Sequence, residues 1–142
     1  FGFVAFGFIF AFIKLKTSYS KLGFYNLMGV LSDGLGGIFL ILLASFLYPI
    51  LGFGFSGIYE YVVFTFVSMT GVIHYFALKY ESYENILTKI SVVIRIFASS
   101  MFFALYASGK LGIEALLISF FDLTFVFIYL IFFQSKEYLC KD

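Results

Sequence analysis

Four ionisable residues stand alone inside four successive apolar stretches of this chain: Asp33, His74, Arg95 and Asp122. A charge in hydrocarbon is costly, so each of them needs a partner or a task. Carboxylates and a histidine in one buried layer can relay protons or line a ligand pocket. A guanidinium and a carboxylate can satisfy each other through paired hydrogen bonds. With His74 neutral, the four residues carry one positive and two negative charges, and one proton on an aspartate or on His74 would balance them. Two readings follow, a polar network that fixes helix register and a pH-sensitive site for a proton or ligand.

The elements that position these residues are apolar spans. Of 142 residues, 63% are hydrophobic and only 12% charged, and the mean hydropathy is +1.07, far from the usage of soluble domains. Such a chain belongs in a bilayer, and its length allows about four or five spans of roughly 20 residues each. The net charge of +1 argues against nucleic-acid binding, which calls for clustered Lys and Arg. Residues 1–13 are apolar but too few to cross, and are expected to belong to a truncated membrane helix. The spans that follow are expected at 24–50, closed by Pro49 and a connection bearing Gly52, Gly54 and Gly57, then at 58–80, 86–107 and 111–133, with a tight turn at Ser108, Gly109 and Lys110. Short connections make neighbours antiparallel. The expected fold is all-α, a single polytopic domain over 1–142 with an up-and-down four-helix transmembrane bundle and an additional N-terminal hydrophobic segment.

At a rise of about 1.5 Å per residue, the four ionisable residues fall roughly 10 to 17 Å from one membrane face. That common depth pairs Arg95 with Asp122 across the last two helices. Helical spacing adds supporting polar residues on the same faces. These are Asn26 with Gly29 and Asp33, Thr70 with His74, Ser91 and Ser99 with Arg95, and Ser119 with Asp122. The ladder Ser100, Ala104 and Ser108 has the spacing of a close helix contact. Glu60 and Glu114 sit at helix starts, where a carboxylate caps favourably. In a chain with no Trp, Tyr19, Tyr25, Tyr48, Tyr80, Tyr83 and Tyr138 are expected to form the interfacial belt.

Lys14, Lys16, Lys21, Lys79, Lys89, Lys136 and Lys141 fall on one side of this threading and Lys110 alone on the other. The positive-inside rule puts the lysine-rich side and the C-terminus in the cytoplasm, or in the matrix of a mitochondrion; a bacterial inner membrane is the expected setting. Cys140 is then a structural thiol in a reducing compartment. His74 and Cys140 are too few to form a zinc or haem site, so no metal is expected. Neither a Ser-His-Asp arrangement nor a phosphate-binding glycine loop is written in the chain.

Pro49 at the end of a first span, Gly71-Val72-Ile73-His74-Tyr75-Phe76-Ala77 near the end of the second, Arg95 early in the third, the Gly109 turn and Asp122 in the fourth resemble small four-helix membrane proteins of the DoxX-like group. The resemblance covers about residues 24–133. It implies a four-helix bundle and, through relatives in quinone-linked complexes, a quinone as the one cofactor to consider. Three functions are expected from these features. The first is a non-catalytic subunit docked by its apolar faces, among lipids and other membrane subunits or copies of itself, in a respiratory, energy-transducing or secretion complex. The others are a quinone-linked oxidoreductase component with His74 or Asp122 as proton partner, and a small proton-coupled transporter or channel whose path passes the polar layer.

Overall fold

The computed structural model describes residues 20–137, with side chains described through 132. The expected segment 1–13, together with Lys14, Lys16, Tyr19, Tyr138, Cys140 and Lys141, lies outside the described residues, as does the side chain of Lys136. Among the described residues all regular structure is helical. Four helices are long and apolar enough to cross a membrane, which makes the chain an integral, multi-pass membrane protein. We label them α1 (Lys21–Ile50), α2 (Ile58–Lys79), α3 (Glu84–Ala107) and α4 (Ile113–Glu137).

Local sequence chemistry sets their ends. Ser20 caps α1, its hydroxyl accepting from the Gly23 amide at 2.9 Å, because the first amides of a helix have no partner inside it. Pro49 does not close α1 but lies within its last turn, where the missing N–H costs a single ladder bond. A short 3-10 turn, Glu81–Tyr83, leads into α3. At the other end of α3, Gly109 adopts φ 69°, the left-handed conformation that glycine enters without a steric penalty. The Gly109 amide donates to Tyr106 O at 2.9 Å and the Lys110 amide to Leu105 O at 3.0 Å, the paired bonds of a Schellman cap.

Glu60 acts as the expected cap, and from a buried position. Its carboxylate accepts from the Ser56 amide at 3.0 Å, the Ser56 hydroxyl at 2.7 Å and the Gly57 amide at 2.8 Å. Glu60→Ala removes all three of these hydrogen bonds at the start of α2 and is expected to cost about 1 kcal/mol or somewhat more, read as a lower unfolding midpoint in detergent or bicelles. Glu114 likewise accepts from the Gly112 amide at 2.9 Å.

The chain divides into two compact units at Leu87 and Thr88. In the first, Asn26 meets His74, Gly34 meets Gly71 and Tyr48 meets Phe64, so residue numbers rise on α1 as they fall on α2 and the pair is antiparallel. In the second, Ser99 meets Ser119 and Arg95 meets Asp122, the same antiparallel pattern for α3 and α4.

The α1–α2 contact is made by small residues. A Cβ on Gly71 would overlap the Gly34 backbone, and one on Gly37 would run into the Ser68 hydroxyl and stand 2.9 Å from its amide nitrogen. Backbones this close are what Gly and Ser permit between membrane helices, where packing rather than water exclusion holds helices together. The ladder Ser100, Ala104 and Ser108 makes no such contact among the described residues, where all three are exposed. On α3 the neighbouring Ser99 is buried instead, one residue round the helix.

The tyrosine belt is also corrected. Tyr25 is fully buried, edge-on to the His74 ring with centroids 5.5 Å apart. Tyr48 is buried among Phe53, Phe55 and Phe64. Tyr80 and Tyr83 are exposed as a belt requires, and the Lys79 ammonium lies 5.5 Å from the Tyr80 ring centre.

Candidate functional site

Among the described residues, each unit holds a buried polar cluster that contains two of the four ionisable residues. In the α1–α2 pair the centre is His74, with no exposed surface. Its Nδ1 lies 2.9 Å from Asn26 Oδ1, and its Nε2 lies 3.9 Å from Asp33 Oδ2. The imidazole therefore stands between two residues of α1 that are seven positions apart. Gly29, between them, makes this possible: a Cβ there would occupy the space of the ring. The stripe Asn26, Gly29 and Asp33 is thus a socket, with two polar walls and a glycine floor.

The Asp33 wall is carried on a wide turn. Val30–Leu35 forms a six-residue π-helix inside α1, a local irregularity found frequently at functional sites. The Ser32 hydroxyl donates to Met28 O at 2.8 Å, competing with the main-chain ladder at that point. The same hydroxyl lies 3.1 Å from Asp33 Oδ1, close enough to offer its single proton to that carboxyl oxygen instead. Thr70, one turn before His74, is buried and bonds back to Phe66 O at 3.2 Å.

In the α3–α4 pair, Arg95 Nη1 donates to Asp122 Oδ1 at 2.7 Å, with both side chains largely buried. The Arg95 guanidinium carbon stands 3.9 Å from the centre of the Phe125 ring, a cation–π stack on the residue one turn from Asp122. One turn along α3, Ser99 and Ser119 interlock. Their hydroxyls are 2.9 Å apart, and each hydroxyl also reaches the other residue's carbonyl oxygen, at 3.1 Å and 3.0 Å. Ser91 is buried and donates to Thr88 O at 2.8 Å on its own helix.

The geometry therefore joins Arg95 with Asp122 and Ser99 with Ser119 in one unit, and Asn26 with His74 and Asp33 in the other. Sequence reasoning missed Tyr25 and Ser32, which wall the His74 socket and the Asp33 carboxylate. Ser32 adjoins Asp33 in sequence and carried that signal; Tyr25, near a helix start, was indistinguishable from an interfacial tyrosine. Among the described residues no three His, Cys, Asp or Glu side chains converge as a metal ion requires. Chemically, the first cluster can bind and release a proton, while the second is a neutral ion pair. Compared with known proteins, the chain matches no protein-family model, no curated protein and no solved structure.

Proposed function

We propose that this chain is a small non-catalytic membrane subunit, docked by its apolar helix faces into a larger membrane assembly of the respiratory, energy-transducing or secretion type. What carries this reading is how the reactive side chains are used. His74, Arg95, Ser99, Ser119 and Asp122 bond across helix pairs, whereas the outward faces are lined by large apolar side chains such as Leu42, Phe66 and Phe97. Polar bonds of this kind act as glue between membrane helices. A surface of Leu and Phe suits both lipid and a neighbouring helix. The resemblance to the DoxX-like group supports the same reading, since some members of that group resemble or belong to quinone-linked oxidoreductase complexes. The lysine asymmetry supports an orientation with the lysine-rich side in the cytoplasm.

Gentle extraction of the full chain from its native membrane tests the proposal. Co-purification in fixed ratio with other membrane proteins is the expected result. A homo-oligomer that moves protons or a solute when reconstituted alone would overturn it in favour of a transporter. Quinone that copurifies and is lost with His74→Ala would overturn it in favour of a quinone-linked component.

A further inference from the structure

We infer that the connection between α1 and α2, residues 51–57, lies within the lipid interface rather than in bulk water, with Glu60 supplying the acceptors that water would otherwise provide. The inference does not rest on the docking role, because it concerns one end of the α1–α2 pair. It begins with composition. No charged residue occurs between Asp33 and Glu60, and Ser56 is the single polar side chain from Ile50 to Ile58. The other two connections each carry an exposed charge, Glu81 in one and Lys110 in the other. The exposed surface agrees. Phe46, Ile50, Leu51 and Ile58 are 66%, 64%, 62% and 81% exposed, so the apolar wall of α1 runs into the connection and is taken up again by α2. That wall is continuous with the surface that membrane-crossing helices turn to lipid, and apolar surface is costly only where water meets it.

The main chain meets the stricter condition. Away from water, backbone polar groups must find partners inside the protein. The amides of Leu51, Gly52 and Phe53 donate to the carbonyl oxygens of Leu47, Pro49 and Tyr48 at 3.0, 3.1 and 2.9 Å. The amides of Ser56 and Gly57 donate to the Glu60 carboxylate, as does the Ser56 hydroxyl. Carbonyls thus hold three amides of the connection and Glu60 holds two more, together with its one polar side chain. Gly54 and Phe55 form the tip, where the headgroup region still offers water.

Two further features keep the connection down. The Phe53 and Phe55 rings pack edge-on against Tyr48, with centroids 5.8 and 5.9 Å away, and Phe55 also meets Tyr61 at 5.7 Å. These contacts fold the connection back onto the helix pair instead of letting it reach outwards. Glu60 is itself only 3% exposed, so its carboxylate is met by donors of the protein at a helix start, where the backbone favours a negative charge.

Spin-label accessibility in the full chain, reconstituted in phosphatidylcholine nanodiscs, tests this. The single cysteine is removed by Cys140→Ser, and labels are introduced one at a time through Phe46→Cys, Leu51→Cys, Gly54→Cys and Ser108→Cys. All four positions are exposed, and a Cβ at Gly54 meets nothing within 4 Å. Oxygen, which partitions into lipid, is compared with a nickel chelate, which stays in water. Phe46 is the lipid-facing reference, and Ser108, in the turn that carries Lys110, is the water-facing one. The oxygen-to-nickel ratio at Leu51 is expected to match that at Phe46, with Gly54 between the two references. Ratios at Leu51 and Gly54 equal to that at Ser108 overturn the inference. Poor access of both reagents to the two positions overturns it as well, since a second copy of the chain would then cover the connection. In Glu60→Ala the ratio at Leu51 is expected to fall towards that at Ser108. An unchanged ratio in a folded Glu60→Ala protein overturns the part given to Glu60, and if that variant does not fold, the ratios measured with Glu60 intact decide the lipid contact by themselves.

Discussion

Asp122→Ala is expected to be among the most damaging single substitutions in the α3–α4 pair, costing about 3–5 kcal/mol, the range for removing one partner of a buried ion pair. The Arg95 side chain is 2% exposed, and its guanidinium cannot shed its charge. Without Asp122 it stays buried and charged, stacked on Phe125 but without its carboxylate. The reverse substitution, Arg95→Ala, strands a carboxylate that can take up a proton and become neutral. The Asp122 side chain also retains 15% exposure. Arg95→Ala is therefore expected to cost clearly less than Asp122→Ala. The double variant Arg95→Ala with Asp122→Ala is expected to be more stable than Asp122→Ala alone, because it removes the orphaned cation. Reversible unfolding of the four proteins in bicelles closes the cycle. Additive losses would show that the two residues do not depend on each other. Arg95→Lys is not a rescue in this scheme, since an ammonium lacks the planar surface that lies over Phe125.

This pair was the most legible part of the site. Arg95 and Asp122 fall on consecutive helices joined by a short turn, and their depths from the turn match, so antiparallel geometry brings them together with no further information. Ser99 and Ser119 follow from the same register. The four spans were legible for a similar reason, because hydropathy acts over some twenty residues and averages out local detail. Their ends were less so: α1 starts at Lys21 and runs through Pro49 to Ile50, since a proline in the final turn forfeits only one bond.

The Asp33–His74 contact was harder to read. The spacing of Asn26, Gly29 and Asp33 marked a face, but their roles depend on a ring from another helix fitting over Gly29, and on a π-turn whose presence no periodicity announces. Tyr25 and Ser100 show the same limit from the other direction. A tyrosine near a helix start reads as interfacial, and Ser100 with Ala104 and Ser108 reads as a contact ladder. A rotation of one residue about the helix axis decides between a buried and an exposed face, and composition does not carry that rotation.

Gly71→Ala is expected to break the α1–α2 contact where Gly34→Ala does not, although the two glycines face each other. The difference lies in direction. A Cβ built on Gly71 points into the backbone of Gly34 and stands 3.0 Å from the carbonyl carbon of Asp33, whereas one built on Gly34 stands 3.6 Å from the Gly71 Cα, an ordinary contact. Backbone cannot rotate out of the way as a side chain can, so the methyl group at position 71 must push the helices apart. Overpacking of this kind costs about 1–3 kcal/mol and sometimes more. Separation at Gly71 also acts on the site, since Asp33 adjoins Gly34 and His74 lies three residues along α2. Gly71→Ala is therefore expected both to lower the stability of the reconstituted chain and to disturb the ring-nitrogen signals of His74. Gly34→Ala is expected to leave both close to wild type, with alanine's better helix propensity acting in its favour. Equal effects of the two substitutions on stability and on the His74 signals would mean that the helices do not cross with Gly71 against the Gly34 backbone.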